Sequence, residues 1–429
     1  MAKLSGSLKI SGDKSISHRA LILLAMSVGK AKIYNLLEAE DILNTVKILK
    51  LLGIKISKSK DHWVVNGNGT GGFKDPGEIL YCGNSGTTAR LMIGAVASNP
   101  INCTFTGDKS LNKRTMSRIT KLIQKMGASV KLTRDDYLPA FISGSKNLMP
   151  LKHIMNEPSA QIKSAVLLAG LNTRGKTEIL ENKATRDHTE RLIKFLGVKL
   201  LIKKQSDGYT NIKLDGPSEF KAKNIHVASD PSSAAFFVVG ALILPGSKIT
   251  LKNILLNKTR IAFLSVLKKM GGKIKIKKTA TKCGEDVGEI NVEYSLLKGI
   301  KVGPQFAPQL IDEYPIISIA ASQAKGKTLM QGLEELRHKE SDRIASIVLN
   351  LKKIGYRVIT KKNDIEINGC QLSLNKKVKI KTFGDHRIAM SFLILGLFFK
   401  KKIYLDDESC IATSYPLFKS HLNFLKKDA

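Results

Sequence analysis

Apolar residues along this chain fall into two alternating kinds of segment. The first kind is apolar on nearly every side and occurs six times: GDKSISHRALILLAMSVGKAKIYN, GNSGTTARLMIGAVASNPINCTFTG, EPSAQIKSAVLLAGLNTRGKTEIL, SDPSSAAFFVVGALILPGSKITL, DEYPIISIAASQAKGKTLMQG and GDHRIAMSFLILGLFFKKKIYL. Each opens on a polar, helix-capping cluster, continues as an apolar helical run, and closes on Gly or a basic turn before a short strand. The second kind is amphipathic, with a lysine-rich face: TVKILKLLGIKI, RITKLIQKMGASVKL, ERLIKFLGVKLLI, FLSVLKKMGGKIKI and SIVLNLKKIGYRVI. In these, Gly53, Gly127, Gly197, Gly271 and Gly355 stand where a helix needs a left-handed C-cap, and the residues that follow alternate like a strand. A helix that is apolar all round has to be buried. Three repeats can bury theirs together at the centre of one domain, with sheets and amphipathic helices outside, so six repeats predict an α/β chain of two similar domains. The clear punctuation between the halves is Ala228-Ser229-Asp230-Pro231.

The longest apolar run, Ile388 to Phe399, gives way to Lys400-Lys401-Lys402 well short of the ~20 residues of a membrane span, which fits a buried helix and no membrane association. The start MAKLSGSLKISGDKS lacks a secretory apolar core and a transit-peptide pattern, so a cytoplasmic location is expected. The five cysteines are scattered and include no C-x-x-C pair, which predicts reduced packing residues and no metal site or disulfide framework. At 429 residues and 43% hydrophobic, the chain can build two substantial cores. Its formal charge of +34 admits a nucleic-acid surface or anionic small substrates. Because the lysines are spread along the whole chain and aromatics make up only 6%, few for stacking bases, the small-substrate reading is preferred and no nucleic-acid partner is expected.

The capping clusters carry the candidate chemistry. A helix N-terminus presents unpaired N–H groups and about half a positive charge, so it attracts anions. Several such ends are also dressed with polar or basic residues: Lys14, Ser15 and Arg19; Asn84, Thr87 and Arg90; Ser159, Gln161 and Lys163. Gly12-Asp13-Lys14-Ser15-Ile16-Ser17-His18-Arg19 lacks the spacing of a nucleotide phosphate loop, and an ordinary capped helix is its plain alternative. Gly107 to Arg114 and Arg186-Asp187-His188 add cations beside further helix starts, though each can also be a solvated turn. Leu336-Arg337-His338-Lys339-Glu340-Ser341-Asp342-Arg343 packs both signs of charge before a helix; with Glu340 and Arg343 at i, i+3 and Lys339 and Arg343 at i, i+4, it predicts a carboxylate and two cations on one helical face. A surface salt-bridge cluster is the alternative. Asp312 and Glu313 precede a buried helix, where burial and neighbouring cations can tune them, with capping by Asp312 as the plain alternative, and Gly384-Asp385-His386-Arg387 supplies a further cation.

In their order along the chain, GDKSISHR, GNSGTTARL, GDKSLNKR, PSAQIKSAVLLAGL, TRDHTE, IDEYP, LRHKESDR and DHRIAM resemble the EPSP synthase family of enolpyruvyl transferases over nearly the whole sequence. The resemblance implies two domains of the inverse α/β barrel type, each of three βαβαββ units, with residues 1–13 plus 228–429 in one, 14–227 in the other, and the active site in the cleft between them. It implies transfer of the enolpyruvyl group of phosphoenolpyruvate to shikimate 3-phosphate, with Lys14, Ser15, Arg19, Ser159, Ala160, Gln161, Arg186, Asp312 and Lys339 toward shikimate 3-phosphate. Lys14, Asn84, Gly86, Arg114, Gln161, Arg343 and Arg387 are implied around phosphoenolpyruvate, and Asp312, Glu340 and Lys14 as the catalytic groups. No metal or organic cofactor is expected, because preorganised Lys and Arg can neutralise phosphate and carboxylate. No heptad or long apolar edge demands a second copy, so a monomer is expected.

Two departures stand out: Ser159-Ala160-Gln161 where many family members have two serines, and Ile411-Ala412-Thr413-Ser414 where many have a lysine. Both resemble the branch that includes herbicide-tolerant enzymes, although Gly86 is small where the best-known tolerant member is bulkier. The rival enolpyruvyl transferase, which acts on UDP-N-acetylglucosamine, is disfavoured because GDKSLNKRTM holds no Gly-Cys pair and Lys14 is followed by Ser15 in place of Asn. An RNA-binding or RNA-end-modifying protein is the alternative of a different class, and salt-sensitive RNA retention is its signature.

Overall fold

In the structure, a computed structural model that describes residues 2–399 and 402–427, each all-apolar segment becomes a helix that starts at a polar cap. Lys400 and Lys401, which follow the longest apolar run, lie outside the described residues. The chain forms two compact units. A central unit contains Gly12–Val227 and Lys282–Glu285, and a terminal unit contains Met1–Ser11, Ala228–Thr281 and Asp286–Ala429.

The central unit holds helices α1 (Lys14–Ala25), α2 (Glu40–Leu51), α3 (Gly86–Ala97), α4 (Ser117–Lys125), α5 (Ala160–Gly170) and α6 (His188–Phe195). The all-apolar α1, α3 and α5 are its buried helices, while α2, α4 and α6 keep a solvated face. Three four-stranded sheets surround them. In the third, Gly175–Glu181 pairs in parallel with Lys152–Met155 and antiparallel with Thr210–Gly216, with Ile179 opposite Ile212. Leader strand, buried helix, strand, amphipathic helix and hairpin follow one another in that order, which is the repeat expected from the sequence.

The terminal unit holds α7 (Pro231–Ile243), α8 (Ala262–Lys269), the one-turn α9 (Ala307–Leu310), α10 (Tyr314–Ser322), α11 (Arg343–Ile354), α12 (His386–Phe398) and α13 (Phe418–Leu425). Here α7, α10 and α12 are the buried helices, and every residue of α7 is inside. The last copy of the repeat is cut short: Val378–Ile380 and Ile403–Leu405 form a two-stranded sheet, after which the chain turns into α13 with no further hairpin. The two units also exchange leader strands. Lys3–Lys9, which precedes α1 in the chain, pairs in parallel with Lys248–Leu255 of the terminal unit, whereas Ile225–His226, which precedes α7, pairs with Val28–Tyr34 of the central unit.

Glycine fixes two tight places in this frame. At Gly12, where the chain enters the central unit, a Cβ would lie 1.9 Å from the Asn35 carbonyl oxygen. At Gly94, where α3 crosses α5, it would lie 2.3 Å from the Ala165 carbonyl oxygen. Gly94→Ala is therefore expected to destabilise the protein. Alanine gains about 1 kcal/mol of helix propensity, but overpacking costs about 1–3 kcal/mol and a backbone clash sits at the upper end. The melting temperature should fall by several degrees, and an unchanged or raised value would mean that α3 and α5 do not pack this closely.

Candidate functional site

The central unit gathers the first turns of its buried helices around a cluster of cations. Asp13 caps α1 by accepting from the Ile16 amide at 2.8 Å, Ser85 caps α3 by accepting from the Thr88 amide at 3.1 Å, and Ser159 caps α5 by accepting from the Ile162 amide at 3.4 Å. Side chains tie these turns together. Arg19 of α1 donates to Ser164 of α5 at 2.8 Å and to Thr189 of α6 at 2.7 Å. Gln161 of α5 accepts from Arg90 at 2.8 Å and donates to Thr87 at 2.9 Å, both on α3. Lys14 pairs with Asp41 of α2 at 2.9 Å.

Arg114 completes one side by donating to Asn84 Oδ1 at 2.7 Å, while Asn84 Nδ2 donates to Asp108 at 2.7 Å. Gly86 stands between the two guanidinium groups: a Cβ there would come within 2.9 Å of Arg90 Nη1 and 3.6 Å of Arg114 Nη1. Arg186 sits half-buried in the loop before α6. Helix N-termini, hydroxyls and several cations thus converge, an arrangement suited to a multiply anionic ligand. Ser15 and Ala160 lie in the first turns of α1 and α5 respectively. Lys109 and Lys113 point to solvent, so of the cations in residues 107–114 only Arg114 joins the cluster.

Lys163 corrects the sequence reading. It does not dress the open end of α5 but turns into the core, fully buried, with Glu190 at 2.7 Å and Glu181 at 3.0 Å. Among the described residues one group has metal-ligand geometry, Asp187, His188 and Glu285. Arg191 already supplies the positive charge there, 2.8 Å from Asp187 and 3.5 Å from Glu285.

The terminal unit builds the second cluster around Arg343, which is 1% exposed. Its Nε lies 2.8 Å from Asp385, its Nη2 2.6 Å from Glu340 and its Nη1 3.5 Å from Asp312. Arg387 approaches the same Asp312 carboxylate at 3.4 Å and donates to the Asp312 carbonyl at 3.1 Å. Burial opposes the charge on Arg343, but Asp385, Glu340 and Asp312 outweigh it and hold its pKa above the usual arginine value. Burial pushes the Lys339 ammonium below its usual range, aided by Arg343 and opposed by Asp312. Lys339 forms no ion pair within 4.0 Å among the described residues, although it stands beside these carboxylates.

The expected shared helical face is absent. Helix α11 starts at Arg343 with Asp342 as its cap, so Lys339 and Glu340 belong to the turn before it, and that turn brings Glu340 onto Arg343. The capping alternative for Asp312 also fails, since Glu313 occupies the cap position of α10 and Asp312 faces the two arginines. Glu313 turns inward to Ser232, beside the buried Arg260–Asp230 pair. The sequence reading missed Asp41 as the partner of Lys14; an acid in the first turn of a helix reads only as a companion of the helix dipole.

The family model described as EPSP synthase (3-phosphoshikimate 1-carboxyvinyltransferase) matches residues 1–422. The chain is 44% identical over 420 residues to a 3-phosphoshikimate 1-carboxyvinyltransferase of Zymomonas mobilis, covering 97% of this chain and 92% of that protein. It is 43% identical over 430 residues to one from Sphingopyxis alaskensis, covering 99% and 96%. Among solved structures, an EPSP synthase from Acinetobacter baumannii superposes with a TM-score of 0.86 at 35% identity, covering 99% of this chain and 96% of that one. Matched along almost its full length in sequence and fold, the chain belongs to the EPSP synthase family.

Proposed function

We infer that the protein transfers the enolpyruvyl group of phosphoenolpyruvate to the 5-hydroxyl of shikimate 3-phosphate, releasing phosphate, as a step of aromatic amino acid biosynthesis. The observation that carries this reading, beside family membership, is the division of chemistry between the two clusters. Anion-binding helix ends gather in the central unit, and carboxylates held by guanidinium groups gather in the terminal unit.

Residue roles follow from that division. Lys14, Ser15, Arg19, Ser159, Ala160, Gln161 and Arg186 bind shikimate 3-phosphate, with Asp312 and Lys339 at its reacting hydroxyl. Lys14, Asn84, Gly86, Arg114, Gln161, Arg343 and Arg387 surround phosphoenolpyruvate. The 5-oxygen attacks C2 while its proton passes to Asp312, and Glu340 protonates C3. In the second half, the C2–O bond to phosphate breaks, the departing phosphate takes up the proton held by Asp312, and C3 returns a proton to Glu340, so the enol ether forms with no net change of charge on the enzyme. The arginines around Asp312 and Glu340 keep both carboxylates in place through the cycle.

The same reading makes the protein a cytoplasmic monomer that works without nucleic acid or cofactor. Its lysines are dispersed, and no helix among the described residues is long and apolar enough to cross a membrane. The test is phosphate release from phosphoenolpyruvate with shikimate 3-phosphate or, in parallel, with UDP-N-acetylglucosamine. Release with the first alone is expected; release only with the sugar nucleotide, or none, would overturn the assignment.

A further inference from the structure

We propose that His18, Thr45, Thr88 and Ser85 form a buried positioning chain that sets the phosphoenolpyruvate end of the site. The proposal rests on the reading that Lys14, Asn84, Gly86 and Arg114 meet that substrate. His18, Thr45 and Thr88 are fully buried and Ser85 is 2% exposed, so the four act through the groups they hold. His18 Nδ1 lies 2.8 Å from Thr45 Oγ1, Thr45 Oγ1 lies 2.9 Å from Thr88 Oγ1, and Thr88 Oγ1 donates to Ser85 Oγ at 2.8 Å.

With Thr88 donating to Ser85, the chain is satisfied when Thr45 donates to Thr88 and the imidazole donates from Nδ1 to Thr45, the Asp41 carbonyl being a second, longer acceptor for both hydroxyls. His18 then carries its proton on Nδ1 and leaves Nε2 bare, in keeping with the absence of a partner at buried Nε2. Burial, reinforced by Lys14 and Arg19, holds the His18 pKa well below its ordinary value and keeps the ring neutral.

The chain joins the N-terminal halves of three helices, and phosphoenolpyruvate-binding groups hang from one of its ends and from its middle. At one end, Ser85 caps α3 between Asn84 and Gly86, and Asn84 holds Arg114. Along its middle, Thr45 and Thr88 both reach the Asp41 carbonyl, at 3.4 and 3.3 Å, and the Asp41 carboxylate holds Lys14. A displaced Thr88 therefore moves both the loop at Asn84 and the partner of Lys14. Ser159 and Arg186, assigned to shikimate 3-phosphate, lie outside this chain.

The experiment compares Thr88→Val, Thr45→Val and Thr88→Ser with the wild type, by steady-state kinetics for each substrate and calorimetric binding of shikimate 3-phosphate. Valine keeps the size and removes the hydroxyl. Both valine variants should raise KM for phosphoenolpyruvate about tenfold and leave shikimate 3-phosphate binding within about twofold, while Thr88→Ser returns close to wild type. An equal loss for both substrates, no change, or failure of both valine variants to fold would overturn the positioning role. An inert wild type would remove the functional reading and this proposal together, whereas an active wild type with an unshifted Thr88→Val would remove the proposal alone.

Discussion

Glu340→Gln is expected to lower kcat by about a hundred- to ten-thousandfold, the range seen when a proton-transferring side chain is lost, with shikimate 3-phosphate binding nearly unchanged. The substitution isolates the proton. The amide oxygen still accepts from Arg343 Nη2, now 2.6 Å from the carboxylate, and Arg343 stays anchored by Asp385 at 2.8 Å. A lost charge in the cluster is thus separated from a collapsed one. Three readings decide the matter: kcat, calorimetric binding of shikimate 3-phosphate, and exchange of the phosphoenolpyruvate C3 hydrogens with deuterated water. A kcat within about tenfold of wild type, or undiminished C3 exchange, would take Glu340 out of the proton path and leave Lys14 and Asp312 to carry it.

The repeat and the anion-binding helix ends were legible because both rest on local physics. A segment without a solvated face has to be buried, and a capped N-terminus attracts negative charge wherever it points. All five cap glycines adopt the left-handed conformation, from Gly53 at φ +86° to Gly355 at φ +116°. Local pattern does not say which leader strand joins which unit, since Lys3–Lys9 and Ile225–His226 can pair with either neighbour and tertiary packing chooses; the discontinuous division, 1–13 with 228–429, comes only from the family resemblance. At Glu340 the spacing points to the right partner for the wrong reason: it suggests a helical face, but the capping preference of Asp342 starts the helix three residues later and a turn makes the contact. Asp312 was ambiguous because capping and ion pairing demand the same residue type ahead of a helix. Lys163 was misread although the sequence held the clue. In a helix apolar on every side, a lysine finds no water, and its counter-charges have to come from distant parts of the chain.

Those counter-charges make Lys163→Met the variant with the largest expected effect on stability. Glu181 and Glu190 lie 3.0 and 2.7 Å from the ammonium, and Thr185 donates to Glu181 at 2.9 Å. Burial opposes the charge on Lys163, yet Glu190 and Glu181 outweigh it and hold its pKa above the usual lysine value. Burial also raises Glu190 above the usual carboxylate range, opposed by Lys163. Removing the cation leaves uncompensated buried charge, a loss of about 3–5 kcal/mol for broken buried pairs. The pH dependence follows in sign: a carboxyl whose folded pKa exceeds its unfolded value binds more protons in the native state, so stability falls as pH rises through that interval. Without Lys163 the folded pKa of Glu190 rises further. The deficit measured by urea denaturation should therefore be larger at pH 8 than at pH 5.5, and adding Glu190→Gln should recover part of it at the higher pH. A deficit equal at both pH values and unaffected by Glu190→Gln would mean that Met fails through packing, and that the buried charges are balanced by something other than Lys163.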